Sequence, residues 1–171
     1  MSNRTASTSS VQLFLQSFDD AWSHKLESIL AVLKDVTPDE SIWQHPAYAG
    51  EKHMLGLPAP GTVLWQIAHL EHCARHYAQI VRVRPVSEEP KTPPPSASNL
   101  PELLVALDRA HHELREVITE LSDADLNGAC VLGHSIHSGM SVSEFLRMTI
   151  RHDSWHAGQM AVARRLYRER A

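Results

Sequence analysis

The stretch from Ser141 to Arg168 limits the possible fold more than any other part of the sequence. Val142, Phe145, Thr149, His152, His156, Gln159, Ala163 and Leu166 recur at alternating steps of three and four, which places them on one stripe of an α-helix. Ser141 and Glu144 make a capping box, in which each side chain satisfies the other residue's free backbone N–H, so the start of the helix is marked. Two histidines therefore occupy positions where the pattern calls for core residues. Burying an imidazole is costly unless its ring N–H and its lone pair both find partners. At i and i+4 the two Cβ atoms lie about 5–6 Å apart on one face. Two ring nitrogens can then converge on one ion at about 2.0–2.1 Å. The alternative is that each ring donates to a carbonyl or hydroxyl and merely packs. A third histidine from another helix would favour the ion.

A length of 171 residues suits one domain, and 43% hydrophobic with 21% charged residues is ordinary for a soluble globular chain. The net charge of −4 argues against a nucleic-acid partner, which would need a clustered basic surface. Arg164, Arg165, Arg168 and Arg170 read as a solvated helix end that complements the negative pole of the helix dipole. Cys73 and Cys130 make no disulfide framework and fit a reducing compartment. The polar start MSNRTASTSS and apolar runs of no more than five residues, such as Ile29 to Leu33, give no signal peptide and no membrane span. The expected location is cytoplasmic, with no membrane contact. The compositional oddity is twelve histidines, five of which fall on two of the predicted helices.

In chain order, residues 1–9 read as a frayed polar lead and residues 10–171 as one helical domain. A first helix is predicted from Ser10 to Val36, with Leu15, Phe18, Trp22, Leu26, Ile29, Leu33 and Val36 on its buried side. Thr37-Pro38-Asp39-Glu40 is a second start signal, and Pro46 allows only a short turn of helix after it. Residues 46–61 read as a loop, in which His45 nearby and His53 have only packing roles. The second long helix runs from about Thr62 to Arg84, where Pro85 ends it. Val63, Ile67, Leu70, Ala74, Ala78 and Val81 form one strip, and Trp65, His69, His72, Cys73, His76 and Ile80 form another beside it. His69 is the natural third ligand on this reading, with His72 and His76 as rivals on its face. Cys73 is read as packing.

Residues 85–98 form a proline-rich connection long enough to cross one end of a bundle. Asn99 and Glu102 then cap a third helix, whose stripe is Leu103, Leu107, Ala110, Leu114, Val117 and Leu121. His111 is placed at the edge of that stripe and His112 further round. Asn127 to Met140 reads as an exposed loop carrying His134 and His137. Four long helices without an alternating strand predict an all-α, four-helix bundle, in which inward side chains of facing helices build the site.

The segment His152-Asp153-Ser154-Trp155-His156-Ala157-Gly158-Gln159 resembles the HDxxHxGQ signature on the last helix of the DinB-like (YfiT-like) metalloenzyme family. The likeness extends to Ile67-Ala68-His69-Leu70 and to the order of helices across nearly the whole chain. The resemblance implies that His69, His152 and His156 are the three metal ligands. It also implies right-handed crossing connections, a homodimer, and a divalent ion such as nickel or zinc, with iron or manganese as further candidates. Several members of the family are thiol-dependent transferases or isomerases that use a low-molecular-weight thiol. The crowding of His72, Cys73 and His76 beside His69 departs from the pattern and leaves the second-helix ligand open.

Three neutral histidines leave an ion its full charge and at least one open position, the catalytic pattern rather than the closed structural one. A small-molecule substrate would be attacked by a thiolate, giving transfer, or by metal-bound hydroxide, giving hydrolysis. A non-catalytic metal-binding dimer would instead close the coordination sphere with His72, His76 or Cys73. Asp153 is placed one position round from His152, either orienting a neighbour or making a surface or inter-helix ion pair. Trp155 and Trp65 are assigned to core or interface.

Overall fold

The computed structural model describes residues 8–48 and 61–170, so most of the N-terminal lead and His53 lie outside it. The described residues form six α-helices and no strand, and two isolated bridges are the nearest approach to a sheet. None of these helices is long and apolar enough to cross a membrane.

The predicted first helix is two. α1 spans Ser10–Ser23 and α2 spans Ile29–Leu33. The Ser28 hydroxyl donates to the His24 carbonyl at 2.7 Å and accepts from the Ala31 N–H at 3.1 Å, so one side chain both competes with the helical ladder and caps the restart. Phe18, Trp22, Ile29 and Leu33 are buried as the stripe predicts, whereas Leu26 in the break is 71% exposed. The start of α1 is held from outside as well, because Asp123 accepts from the Ser10 and Val11 N–H groups at 3.0 Å each.

α3 covers Pro38–Ile42 and has the predicted capping box between Thr37 and Glu40. α4 covers Val63–Val83 behind a Thr62 cap, α5 covers Leu100–Thr119 behind an Asn99 cap, and α6 covers Val142–Glu169 behind the Ser141/Glu144 box. These four starts follow from residue type alone: a short polar side chain before the helix accepts an N–H that the helix leaves unpaired.

α4 packs on α5 and α6, and α1 packs on the same two helices, so α4 and α6 are neighbours. The core has two parts. One centres on Phe18, Ala78, Ile118 and Phe145, the other on Ile67, Leu103 and Met160, all essentially inaccessible to water. Apart from Ala78, each of these side chains contributes about 1.5–3 kcal/mol by leaving water.

The α6 stripe holds for Val142, Phe145, Thr149 and His156 and then drifts: past His156 the buried residues are Ala157, Met160 and Arg164, while Gln159 is exposed. Alternating steps of three and four average 3.5 residues, so on a straight helix of 3.6 the stripe rotates by about 20° per heptad. Arg164 is therefore not part of a solvated tail. It is buried and pairs with buried Glu40 through two bonds, Nε to Oε1 at 2.8 Å and Nη2 to Oε2 at 3.2 Å, while Nη1 donates to the Val32 and Lys34 carbonyls. His111 is likewise a core residue rather than an edge one. It is 3% exposed and stacked between Phe18 and Trp22, with centroids 4.3 and 3.8 Å away.

The proline-rich connection is fastened to the loop before α6. The Val86 N–H donates to the Cys130 carbonyl at 3.0 Å, and the Leu132 N–H donates to the Val86 carbonyl at 2.8 Å. Gly133 lies so close to this segment that a Cβ there would sit 1.7 Å from the Ser87 carbonyl oxygen.

Candidate metal centre

His69 of α4 and His152 and His156 of α6 bring their rings to one point. His152 Nε2 lies 3.1 Å from His69 Nε2 and 3.1 Å from His156 Nε2. Nitrogens each about 2.0–2.1 Å from one ion themselves stand about 3 Å apart, as His152 Nε2 does from each of the other two. The structure thus unites the three histidines that the sequence proposes, and their cluster could hold a metal ion.

The surroundings select the lone pair that His156 presents at that point. His156 Nδ1–H donates to Gln66 Oε1, which leaves His156 Nε2 as a bare acceptor. A single N–H on His152 Nε2 can serve only one of its two neighbours well. Among the described residues, His152 Nδ1 is buried with no hydrogen-bond partner. The donor set therefore fits a divalent cation better than it fits itself. Burial first, then the neighbouring His152 and His69 rings, push the His156 imidazole down to about 3, so it stays neutral and able to ligate.

Aromatic rings fix two of the imidazoles. Trp65 stacks on His69 with centroids 4.9 Å apart, and Tyr77 meets His152 edge-on at 5.8 Å. Trp65 thus belongs to the site wall. Gln66 was not foreseen, although a polar residue set among Val63, Leu64, Ile67 and Ala68 is a visible signal, and it is 3% exposed.

The rivals on α4 turn elsewhere. His72 Nδ1 lies 3.2 Å from the Pro93 carbonyl, and His76 Nε2 lies 3.0 Å from Glu89 Oε2. Cys73 is half-buried with Sγ 3.6 Å from His69 Nε2, and burial pushes its thiol up to about 12. Asp153 faces inward, lining a small interior cavity with Trp22, Leu70, Tyr77 and His111 rather than meeting solvent. Its Oδ1 is 3.9 Å from His152 Nδ1, too long for a hydrogen bond, and burial raises its pKa. Trp155 is 68% exposed, which removes it from the core of this chain. In the loop before α6, His134 is exposed as expected, but His137 is 5% exposed and belongs to the interior.

An open cleft of about 720 Å³ adjoins the centre through Gln66, the partner of His156, while the three histidines themselves do not line it. Trp43, Trp155, Val162 and Leu166 give it apolar walls, and Gln66, Ser154 and Gln159 add polar groups. Gly158 lines the same cleft, and among the described residues nothing lies within 4 Å of where its Cβ would be, so its lack of a side chain widens the cleft.

No curated protein and no solved structure matches the chain. The DinB superfamily matches residues 21–160, a span that takes in His69, His152 and His156 as well as every helix except most of α1 and the end of α6. By that match and its all-helical architecture, the chain belongs to the DinB superfamily.

Proposed function

We propose that the protein is a divalent-metal-dependent enzyme in which His69, His152 and His156 hold the ion, and that it transfers a small thiol to an electrophilic substrate. The observation that carries this reading is the approach of His152 Nε2 to within 3.1 Å of both His69 Nε2 and His156 Nε2, with the His156 lone pair selected by Gln66 behind it. A divalent ion held there supplies Lewis-acid chemistry, including ionisation of a coordinated thiol at neutral pH. Gln66 orients His156, Trp65 and Tyr77 wall in the other two rings, and the cleft receives the substrate. Its apolar walls suit the carbon skeleton of a small electrophile, while Ser154 and Gln159 offer hydrogen bonds to its polar end.

With His72 and His76 committed to the proline-rich connection, neither closes a fourth position, which supports a catalytic over a purely structural centre. Cys73 is the remaining candidate for closure. In protein purified without chelator, His152→Ala should lower the bound metal by one equivalent per chain, and Cys73→Ser should not. Turnover of electrophiles should require both the ion and a low-molecular-weight thiol. Metal content unaffected by His152→Ala would defeat the ligand assignment. Turnover without thiol would replace transfer by hydrolysis, and a loss of metal in Cys73→Ser would point to a closed, non-catalytic site.

A further inference from the structure

A second convergence of ligand atoms lies outside the three-histidine centre. His76 Nε2 is 3.0 Å from Glu89 Oε2, and His137 Nδ1 is 2.7 Å from Glu89 Oε1. The three ligand atoms all lie within 4.8 Å of one another. They come from three parts of the chain: α4, the proline-rich connection and the loop before α6.

The hydrogen bonds behind His76 set its tautomer. Its Nδ1 is 3.0 Å from Thr92 Oγ1, and the Thr92 hydroxyl donates to Gln79 Oε1 at 3.3 Å. Thr92 Oγ1 therefore accepts the Nδ1–H, and the neutral ring turns the Nε2 lone pair toward a carboxylate oxygen. Two acceptors at 3.0 Å repel unless a cation or a proton stands between them. Two imidazoles and one carboxylate are a donor set that first-row divalent metals take readily. The scaffold holds the set together, because Val86 is bonded to Cys130 and Leu132, and Gly133 alone admits the Ser87 carbonyl beside it.

We infer that His76, Glu89 and His137 form a second binding site for a first-row divalent cation, one that ties α4, the connection and the loop to each other. It is separate from the first centre. The Tyr77 ring is 5.8 Å from His137 and 5.8 Å from His152, a wall shared by the two clusters. The inference rests on its own distances and stands whether or not the three-histidine centre is catalytic.

The competing occupant is a proton, which would make a carboxylate–imidazolium latch with no affinity for metal. Zinc titration of chelator-stripped protein carrying His69→Ala, His152→Ala and His156→Ala separates them. One equivalent of zinc should bind and raise the melting temperature, and adding Glu89→Gln or His137→Ala should abolish both effects. No zinc binding by the natively helical triple variant overturns the site, as does one equivalent that survives Glu89→Gln. Should the triple variant not fold, the unsubstituted chain should bind two equivalents and its Glu89→Gln variant one, and an unchanged count overturns the inference.

Discussion

Acid should unfold this protein partly through His111. The ring is 3% exposed between Phe18 and Trp22, and neither of its nitrogens has a hydrogen-bond partner among the described residues. Burial, assisted by His112 and Arg115 and opposed by Asp19, pushes its pKa from 6.5 down to about 3. A histidine with a depressed folded-state pKa favours the native state only while neutral. As pH falls below 6.5 the unfolded chain takes up a proton that the folded chain refuses, and stability drops until about pH 3 is reached. Each pH unit inside that window removes about 1.4 kcal/mol. Between about pH 7 and about pH 4 the loss from this one group is therefore about 3 kcal/mol. His111→Phe keeps a ring between Phe18 and Trp22 and deletes the titration. Urea unfolding followed by far-UV circular dichroism should show the parent losing about 3 kcal/mol more than His111→Phe over that pH range. Parallel stability curves for the two proteins would refute the reasoning.

Gln66→Leu should weaken metal binding about 10- to 100-fold, because the His156 tautomer loses its anchor; competition with a chromophoric chelator measures it. Arg164→Met should cost about 3 kcal/mol in thermal or urea unfolding, since among the described residues buried Glu40 would keep only Arg168, at 3.1 Å and largely exposed, as an ionic partner. Gly133→Ala should cost about 1–3 kcal/mol, because a Cβ would meet the Ser87 carbonyl oxygen at 1.7 Å and the backbone must move; calorimetry reads the shift. Ser28→Ala should destabilise by about 1 kcal/mol through loss of the α2 cap, again measured by calorimetry.

The helices could be read from the sequence because their signals are local. Thr62, Asn99 and Ser141 each sit just before an apolar period, and α4, α5 and α6 start on the next residue. His152 and His156 were visible for the same reason, since i and i+4 on a helix share a face whatever surrounds them. His69 is the natural third ligand from its place on α4, but His72 and His76 stay rivals in the sequence because spacing along α4 does not say which face meets α6. What stayed hidden depends on contacts distant in sequence. Glu40 was legible as a capping residue but not as the partner of Arg164, more than a hundred positions away. His137 looked like loop surface because its partner, Glu89, lies in another loop. The break between α1 and α2 was missed because the apolar period runs through it, and only the Ser28 hydroxyl marks the restart.

The proline-rich stretch after α4 has the composition of a spacer, yet it is clasped along its length: Val86 by Cys130 and Leu132, Thr92 by His76, Pro93 by His72 and Arg75. Its pyrrolidine rings already narrow the denatured ensemble, so folding it down forfeits less chain freedom than a glycine-serine tether of equal length would. The segment is thus a pre-shortened strap, and exchanging it for a flexible tether should unfasten the face of α4 that carries His72, Arg75 and His76.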